Sequence, residues 1–168
     1  KVVMRYAGIA SVLGVALLVG LYYMGRHPFL IPVFFDFRII LFGVFIFFAL
    51  KEFRDFHQNG VLYFWQGLAG SVAFISLYGA IASALILLFE LAEPEFLKSY
   101  IEKQMAQLRS LPAEVVERIG KEVVTRNLEA LPATNVYALP KLYMFQGFVI
   151  GLFVSIIISV ILKKQPTT

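Results

Sequence analysis

Three ionisable residues stand beside long apolar runs of the sequence: Asp36, Arg38 and Glu90. A charged side chain at membrane depth usually pairs with another charge or serves a substrate or ion. Residues two apart point to nearly opposite faces of a helix, so we expect Asp36 and Arg38 not to pair with each other. We expect Arg38 to reach Glu90 or to extend towards water. This outer charge cluster is interpreted either as a structural clasp or as a polar site for a lipid headgroup or sugar phosphate.

Other chemistry-bearing residues are sparse. The sequence contains no P-loop, no H-E-x-x-H or G-x-S-x-G motif and no dinucleotide fingerprint. His27 and His57 are predicted to lie on opposite sides of the membrane, and the chain has no cysteine, which argues against a zinc site. The centre of each apolar run lacks the ionisable residues that proton coupling requires. We therefore predict a non-enzyme with no catalytic residue, metal site or cofactor.

Four apolar runs position these residues. The chain of 168 residues is 60% hydrophobic and only 15% charged, whereas a soluble domain is about 25% charged. A bilayer core about 30 Å thick needs roughly 20 residues of helix. The runs that meet this length cover about residues 6–24, 32–50, 62–89 and 140–162. They predict an all-α membrane protein with four transmembrane helices, forming a single domain over residues 1–168.

The basic residues indicate the orientation of these helices. Those at the termini and between the second and third runs fall on one side of the membrane: Lys1, Arg5, Lys51, Arg54, Lys163 and Lys164. The positive-inside rule places this side, with both termini, in the cytoplasm. The net charge of +4 is then a consequence of topology, so nucleic acid is not an expected partner. Tyr22, Tyr23 and Tyr143 are expected to anchor the protein at the outer interface.

The one long polar stretch lies between the third and fourth runs. Apolar residues recur there at helical spacing in two segments, 94–111 and 112–131. They predict an extracytoplasmic amphipathic helical hairpin over about residues 93–131, in which Gly120 weakens the second helix. The hairpin could fold on itself, lie in the outer leaflet interface or dock on a partner protein. Its balance of acidic and basic residues favours packing against protein.

Small residues four apart mark where transmembrane helices approach each other closely. Gly147 and Gly151 form such a pair in the last run, and Gly79 and Ser83 form another in the third. A pair of this kind can join helices of one chain or of two chains. We favour internal packing and keep dimerisation as the alternative.

The turn between the second and third runs offers a candidate cytoplasmic contact at Arg54 and Asp55. It is interpreted either as a self-satisfied turn or as a contact with a lipid phosphate or a partner. The run ALKEFRDFHQNGVLYFWQGLAGS, which contains this turn, resembles the hallmark of a bacterial membrane family known as domain of unknown function family 4199. Its members share four spans, a cytoplasmic K-x-x-R-D…G-x-x-x-F turn, a proline after the third span and a basic C-terminal end. The matching positions here are Lys51, Arg54, Asp55, Gly60, Phe64, Pro94, Lys163 and Lys164.

The resemblance extends over essentially the whole chain and implies the four-span architecture, but it supplies no catalytic residue. Our leading hypothesis is a non-enzymatic accessory or scaffolding subunit of a bacterial inner-membrane complex. It would bind partner membrane proteins through its membrane helices and the hairpin. The alternative is a small transporter or a protein that handles lipids or lipid-linked sugars through Asp36, Arg38 and Glu90. Neither hypothesis specifies whether the protein forms a homo-oligomer, and both include the lipid bilayer as a partner.

Overall fold

The computed structural model describes residues 1–32 and 35–165. In these ranges the regular structure is helical apart from one isolated β-bridge, and short turns and loops join the helices. Short 3₁₀ turns lie at Pro28–Leu30 and Leu131–Ala133. The α-helices are α1 (Val2–Tyr23), α2 (Phe37–His57), α3 (Phe64–Ala92), α4 (Glu95–Arg109), α5 (Ala113–Ile119), α6 (Lys121–Ala130) and α7 (Ala138–Leu162). The predicted all-α class is confirmed.

Within the described part of the chain, three helices are long and apolar enough to cross a membrane: α1, α3 and α7. They have 22, 29 and 25 residues, which at 1.5 Å per residue gives lengths of about 33, 43 and 37 Å. The helix in the remaining predicted span, α2, has 21 residues but carries Arg38 near its start and a charged segment near its end. It begins at Phe37 and continues to His57, so it is shifted towards the C-terminus relative to the predicted run 32–50.

The long helices pack around α3 and α7, which form the most extensive helix–helix interface. α1 packs chiefly on α3, while α2 lies against α7 and α1. Gly79 and Ser83 of α3 and Gly151 of α7 lie at the interface between these two helices. A Cβ added at Gly151 would come within 2.6 Å of Ile75 Cγ1, and one at Gly79 within 3.1 Å of Met144 Cγ. Ser83 Oγ donates a hydrogen bond of 2.9 Å to the Pro140 carbonyl.

The polar segment between α3 and α7 contains three helices rather than the expected two. The prediction of one helix over residues 112–131 is wrong, because the chain breaks at Gly120. This glycine has φ +98° and ψ 123°, a conformation that L side chains rarely adopt. Its N–H closes α5 by donating to the Val116 carbonyl at 2.9 Å, and α6 begins at the next residue. Gly120 therefore redirects the chain and ends α5, rather than only weakening one continuous helix.

A backbone bridge ties the end of the chain to the turn between α2 and α3. The N–H of Leu62 donates to the Lys164 carbonyl, and the N–H of Lys164 donates to the Leu62 carbonyl, each at 2.9 Å. Gly60 supports the turn with φ +78°. Leu62, one of the two bridged residues, is fully buried, so the end of α7 and the α2–α3 turn pack together.

Candidate functional site

A cavity of about 580 Å³ lies at the start of α2, beneath the loop that joins α1 to α2. This volume falls within the range of roughly 300–1,000 Å³ typical of small-molecule sites. Most of its wall is apolar, with Leu18 and Leu21 from α1 and the loop residues Pro28–Leu30 above them. Besides the tyrosine Tyr143, the polar side chains at its wall are Arg26, His27, Asp36, Arg38 and Gln146.

Asp36 and Arg38 form an ion pair at the cavity wall, contrary to the expectation that residues two apart would diverge. Asp36 precedes α2 as its N-cap, with an extended backbone (φ −72°, ψ 117°), so helical spacing does not apply to it. Its Oδ1 accepts from the backbone N–H and from Nε of Arg38, both at 2.9 Å, and its Oδ2 accepts from Nη2. The side chains are only 11% and 5% exposed. Asp36 therefore caps the helix and neutralises the buried guanidinium at the same time.

Arg38 also joins α2 to α7. Its Nη1 donates to the Tyr143 carbonyl at 3.1 Å, and its Nη2 donates to Gln146 Oε1 at 2.9 Å. The guanidinium carbon lies 4.4 Å from the centre of the Tyr143 ring, in range of a cation–π interaction. Most of its five N–H donors are engaged, so Arg38 is held rigidly and is a weak candidate for direct capture of an anion.

Glu90 does not join this cluster. It lies near the end of α3, is 2% exposed and is not part of the cavity wall. Neither of its carboxyl oxygens has a hydrogen-bond partner among residues 1–32 and 35–165. The expectation that Arg38 would reach Glu90 is wrong, because Asp36, Tyr143 and Gln146 already take up the guanidinium. The structure thus brings together two of the three residues of the predicted outer charge cluster.

Tyr143 is buried in the bundle and does not lie on its surface, so its interpretation as an interfacial anchor is wrong. It is 3% exposed, and its hydroxyl lies 2.6 Å from that of Tyr78 on α3. Tyr78 in turn packs edge-on against Phe42 of α2. Tyr143 therefore contacts α3 through Tyr78 and α2 through the guanidinium of Arg38, which lies over its ring.

His27 forms the junction between the α1–α2 loop and α4. Its ring stacks on Phe96 with 4.8 Å between centroids and lies 5.4 Å from the ring of Tyr100. Its Nε2 lies 3.1 Å from the Phe96 carbonyl. A carbonyl only accepts, so Nε2 carries the proton. Burial lowers the pKa of His27 from 6.5 to about 4, with a smaller contribution from Lys103, so the imidazole is neutral near pH 7.

The candidate cytoplasmic residues have structural contacts. Arg54 Nε donates to Asp55 Oδ1 at 2.7 Å, and Arg54 Nη1 donates to the Leu162 carbonyl at 3.4 Å. The second bond satisfies one of the free carbonyls at the end of α7. Arg54 thereby ties α2 to α7 at the end of the bundle opposite the cavity.

Sequence reasoning did not single out Gln146, and it did not place His27 at this site. Gln146 is an amide early in the most apolar helix, and this contrast in polarity is a signal that could have revealed it. His27 gave no comparable signal, since its role depends on Phe96 and Tyr100, which are distant in sequence. The remaining small residue, Gly147, lies beside this site, where an added Cβ would be 3.8 Å from Arg38 Nη1 and from Phe42 Cζ.

The fold and the cavity together define a helical protein with membrane-length apolar helices and a partly polar cavity at one end. No group of three or more histidine or acidic residues that could hold a metal is present in the described ranges. The profile of the family described as "Protein of unknown function (DUF4199)" matches residues 5–164, so the chain belongs to this family. A search of curated proteins and a search of solved structures each found no match.

Proposed function

We propose that this protein is a non-enzymatic, multi-pass membrane protein that binds a lipid in the cavity between α1, α2 and α7. The observation that carries the proposal is the apolar cavity of about 580 Å³ with the buried Asp36–Arg38 pair at its wall. Sites of this kind use apolar walls for affinity and a few fixed polar groups for orientation. The combination suits a molecule with one polar and one apolar end.

The position of the cavity favours a membrane lipid as that molecule. Its wall includes Leu18 and Leu21, which belong to the last two turns of an apolar helix. On the same helix, Leu13 and Leu17 are exposed and would face lipid in a membrane. A lipid could therefore place its polar end in the cavity while its chains continue along the outer surface of the bundle.

The proposal includes four membrane-spanning helices, with α2 as the fourth. Between Ile39 and Leu50 this helix has no charged residue, and it packs along α1 and α7. Arg38 would then lie at the outer end of the span and the charged residues 51–55 at the cytoplasmic end. With the basic residues inside, both termini are cytoplasmic, the cavity faces the outer leaflet, and α4–α6 form an extracytoplasmic segment of a bacterial inner-membrane protein.

The direct test is retention of lipid by the purified protein in a mild detergent, measured by native mass spectrometry. Leu21→Trp fills the cavity from its wall and should lower lipid occupancy. Leu88→Trp makes the same change at an exposed position of α3, a helix that contributes no residue to the cavity wall, and should leave occupancy unchanged. Equal occupancy in both variants and the parent chain would place the lipid elsewhere and refute a binding role for the cavity.

A second candidate function, an accessory subunit of a membrane complex, is favoured by the apolar side chains exposed on otherwise polar helices. Ile119 on α5 and Val123 on α6 are 48% and 49% exposed. A partner protein that covers them would remove this apolar surface from water. Gentle extraction from the native membrane should then recover a stoichiometric complex that the double change Ile119→Lys and Val123→Lys disrupts. A partner that remains bound to this double variant would contradict the role of α5 and α6.

A further inference from the structure

The polar groups at the cavity wall differ in how many hydrogen bonds they can still make. Both carboxylate oxygens of Asp36 accept from Arg38. Three of the four Nη hydrogens of Arg38 are engaged, by Asp36, Gln146 and the Tyr143 carbonyl. Asp36 therefore has little accepting capacity left, and Arg38 retains one donor. The ion pair is a fixed, nearly neutral part of the wall.

Gln146 differs because only its carbonyl side is engaged. Its Oε1 accepts from Arg38 Nη2 at 2.9 Å, which fixes the orientation of the amide. The two N–H donors on Nε2 have no partner in the hydrogen bonds of the described residues. Gln146 thus presents two donors at the cavity wall, held in place by Arg38.

Arg26 supplies the remaining charge. It lies on the α1–α2 loop, its side chain is exposed, and it lines the cavity without an ion-pair partner among the described residues. His27 beside it is neutral near pH 7, and the charges of Asp36 and Arg38 offset each other. The wall therefore combines one net positive charge with an excess of donors. Such a wall matches a ligand whose polar end carries several acceptor oxygens and a negative charge.

We infer that the cavity receives the phosphate and ester oxygens of an anionic glycerophospholipid, with Gln146 and Arg26 donating to them. Arg38 acts as a positioning residue: Asp36 fixes it, and it fixes the Gln146 amide. This inference rests on the proposed lipid-binding function and adds the chemistry of the headgroup. A free phosphate compound would present the same oxygens without acyl chains, so the experiment must distinguish these two sources.

The test compares three probes on the purified full-length chain in detergent: dioleoyl phosphatidylglycerol, dioleoylglycerol and glycerol 3-phosphate. We expect phosphatidylglycerol to bind about ten-fold or more tightly than dioleoylglycerol, which is the effect of one charge-assisted hydrogen bond. Glycerol 3-phosphate should not compete at equal concentration. Equal affinity for the two lipids would overturn the headgroup inference and leave the proposed function standing. Failure of both lipids to bind would overturn the proposed function as well, and competition by glycerol 3-phosphate would overturn the lipid source.

Variants assign the headgroup contacts. Gln146→Glu keeps an acceptor for Arg38, removes both donors and adds a negative charge, so it should abolish the preference for phosphatidylglycerol while dioleoylglycerol binding is retained. Arg26→Gln should weaken phosphatidylglycerol binding, whereas Arg118→Gln removes the same charge from α5, outside the cavity wall, and should not. An unchanged lipid preference in Gln146→Glu, with an unfolding midpoint like that of the parent chain, would overturn the inference.

Discussion

The guanidinium of Arg38 lies 4.4 Å from the centre of the Tyr143 ring while its Nε and Nη2 are bonded to Asp36. Three elements thus meet at one side chain: the residue before α2, α2 itself and α7. Because Tyr143 is also hydrogen-bonded to Tyr78, the same contact extends to α3. The polar wall of the cavity is therefore built on the packing of the bundle, and changes to it should affect stability as well as binding.

Removal of one partner of the Asp36–Arg38 pair should destabilise the fold. Arg38→Gln leaves the Asp36 carboxylate buried without its counter-charge, which typically costs about 3–5 kcal/mol. Thermal unfolding in detergent should show a lowered midpoint. The double change Asp36→Asn and Arg38→Gln should lose less stability than the sum of the single changes. Additive losses would mean that the two residues act independently.

The small residues of α7 should differ in their tolerance of an added methyl group. Gly151→Ala would place a Cβ 2.6 Å from Ile75, and overpacking of this kind typically costs about 1–3 kcal/mol. Gly147→Ala is the matched control, because its nearest atoms would be 3.8 Å away. We expect the unfolding midpoint to fall only for Gly151→Ala. A larger loss for Gly147→Ala would contradict the packing of α7 described above.

Acid should weaken the attachment of α4 to the loop at His27. Burial lowers the pKa of His27 to about 4 from 6.5, so the unfolded form binds the proton more readily. The stabilising contribution is complete above about pH 6.5 and is lost as the pH falls towards 4. As the pH falls from 6.5 towards 4, the α4 amides should therefore lose protection from hydrogen exchange, after correction for the intrinsic exchange rate.

Two variants isolate the contribution of His27. His27→Gln keeps a donor for the Phe96 carbonyl and cannot titrate, so the pH dependence of α4 protection should disappear. His57→Gln changes the other histidine, which stacks on Phe53 at the end of α2, and should retain it. A dependence that persists in His27→Gln would assign the effect to another group.

The buried carboxyl group of Glu90 should destabilise the fold. A buried carboxyl group without a hydrogen-bond partner destabilises a protein, and a leucine of similar size removes that cost. We expect Glu90→Leu to raise the free energy of unfolding by about 1 kcal/mol or more. Glu102→Leu, at an exposed position on α4, is the control and should have little effect. A clear loss of stability in Glu90→Leu would show that this carboxyl group has a partner outside the described contacts.

The proposed topology places residues 57 and 104 on opposite sides of the membrane. The chain has no cysteine, so His57→Cys and Gln104→Cys each give a single labelling site. An impermeant thiol reagent added to intact cells should label position 104 and reach position 57 only after the membrane is opened. Labelling of both positions from the same side would refute the four-span arrangement.

The regular elements could be predicted because they depend on local composition. The apolar runs predict α1, α3 and α7 to within a few residues, because a run of about twenty apolar residues is typical of a membrane-spanning helix. The candidate site could not be assembled in this way. The pairing of Asp36 with Arg38 depends on where α2 begins, and a one-residue change from helix to extended backbone at Asp36 reverses the geometric argument. The roles of His27, Tyr143 and Gln146 depend on contacts between distant segments, which periodicity does not report.

The most direct measurement is native mass spectrometry of the full-length chain extracted gently from its membrane, side by side with Leu21→Trp. Lipid binding in the cavity predicts a protein that retains a stoichiometric anionic glycerophospholipid, with reduced occupancy in the cavity-filled variant. A parent chain that carries no lipid, or a lipid occupancy unchanged by Leu21→Trp, would contradict it.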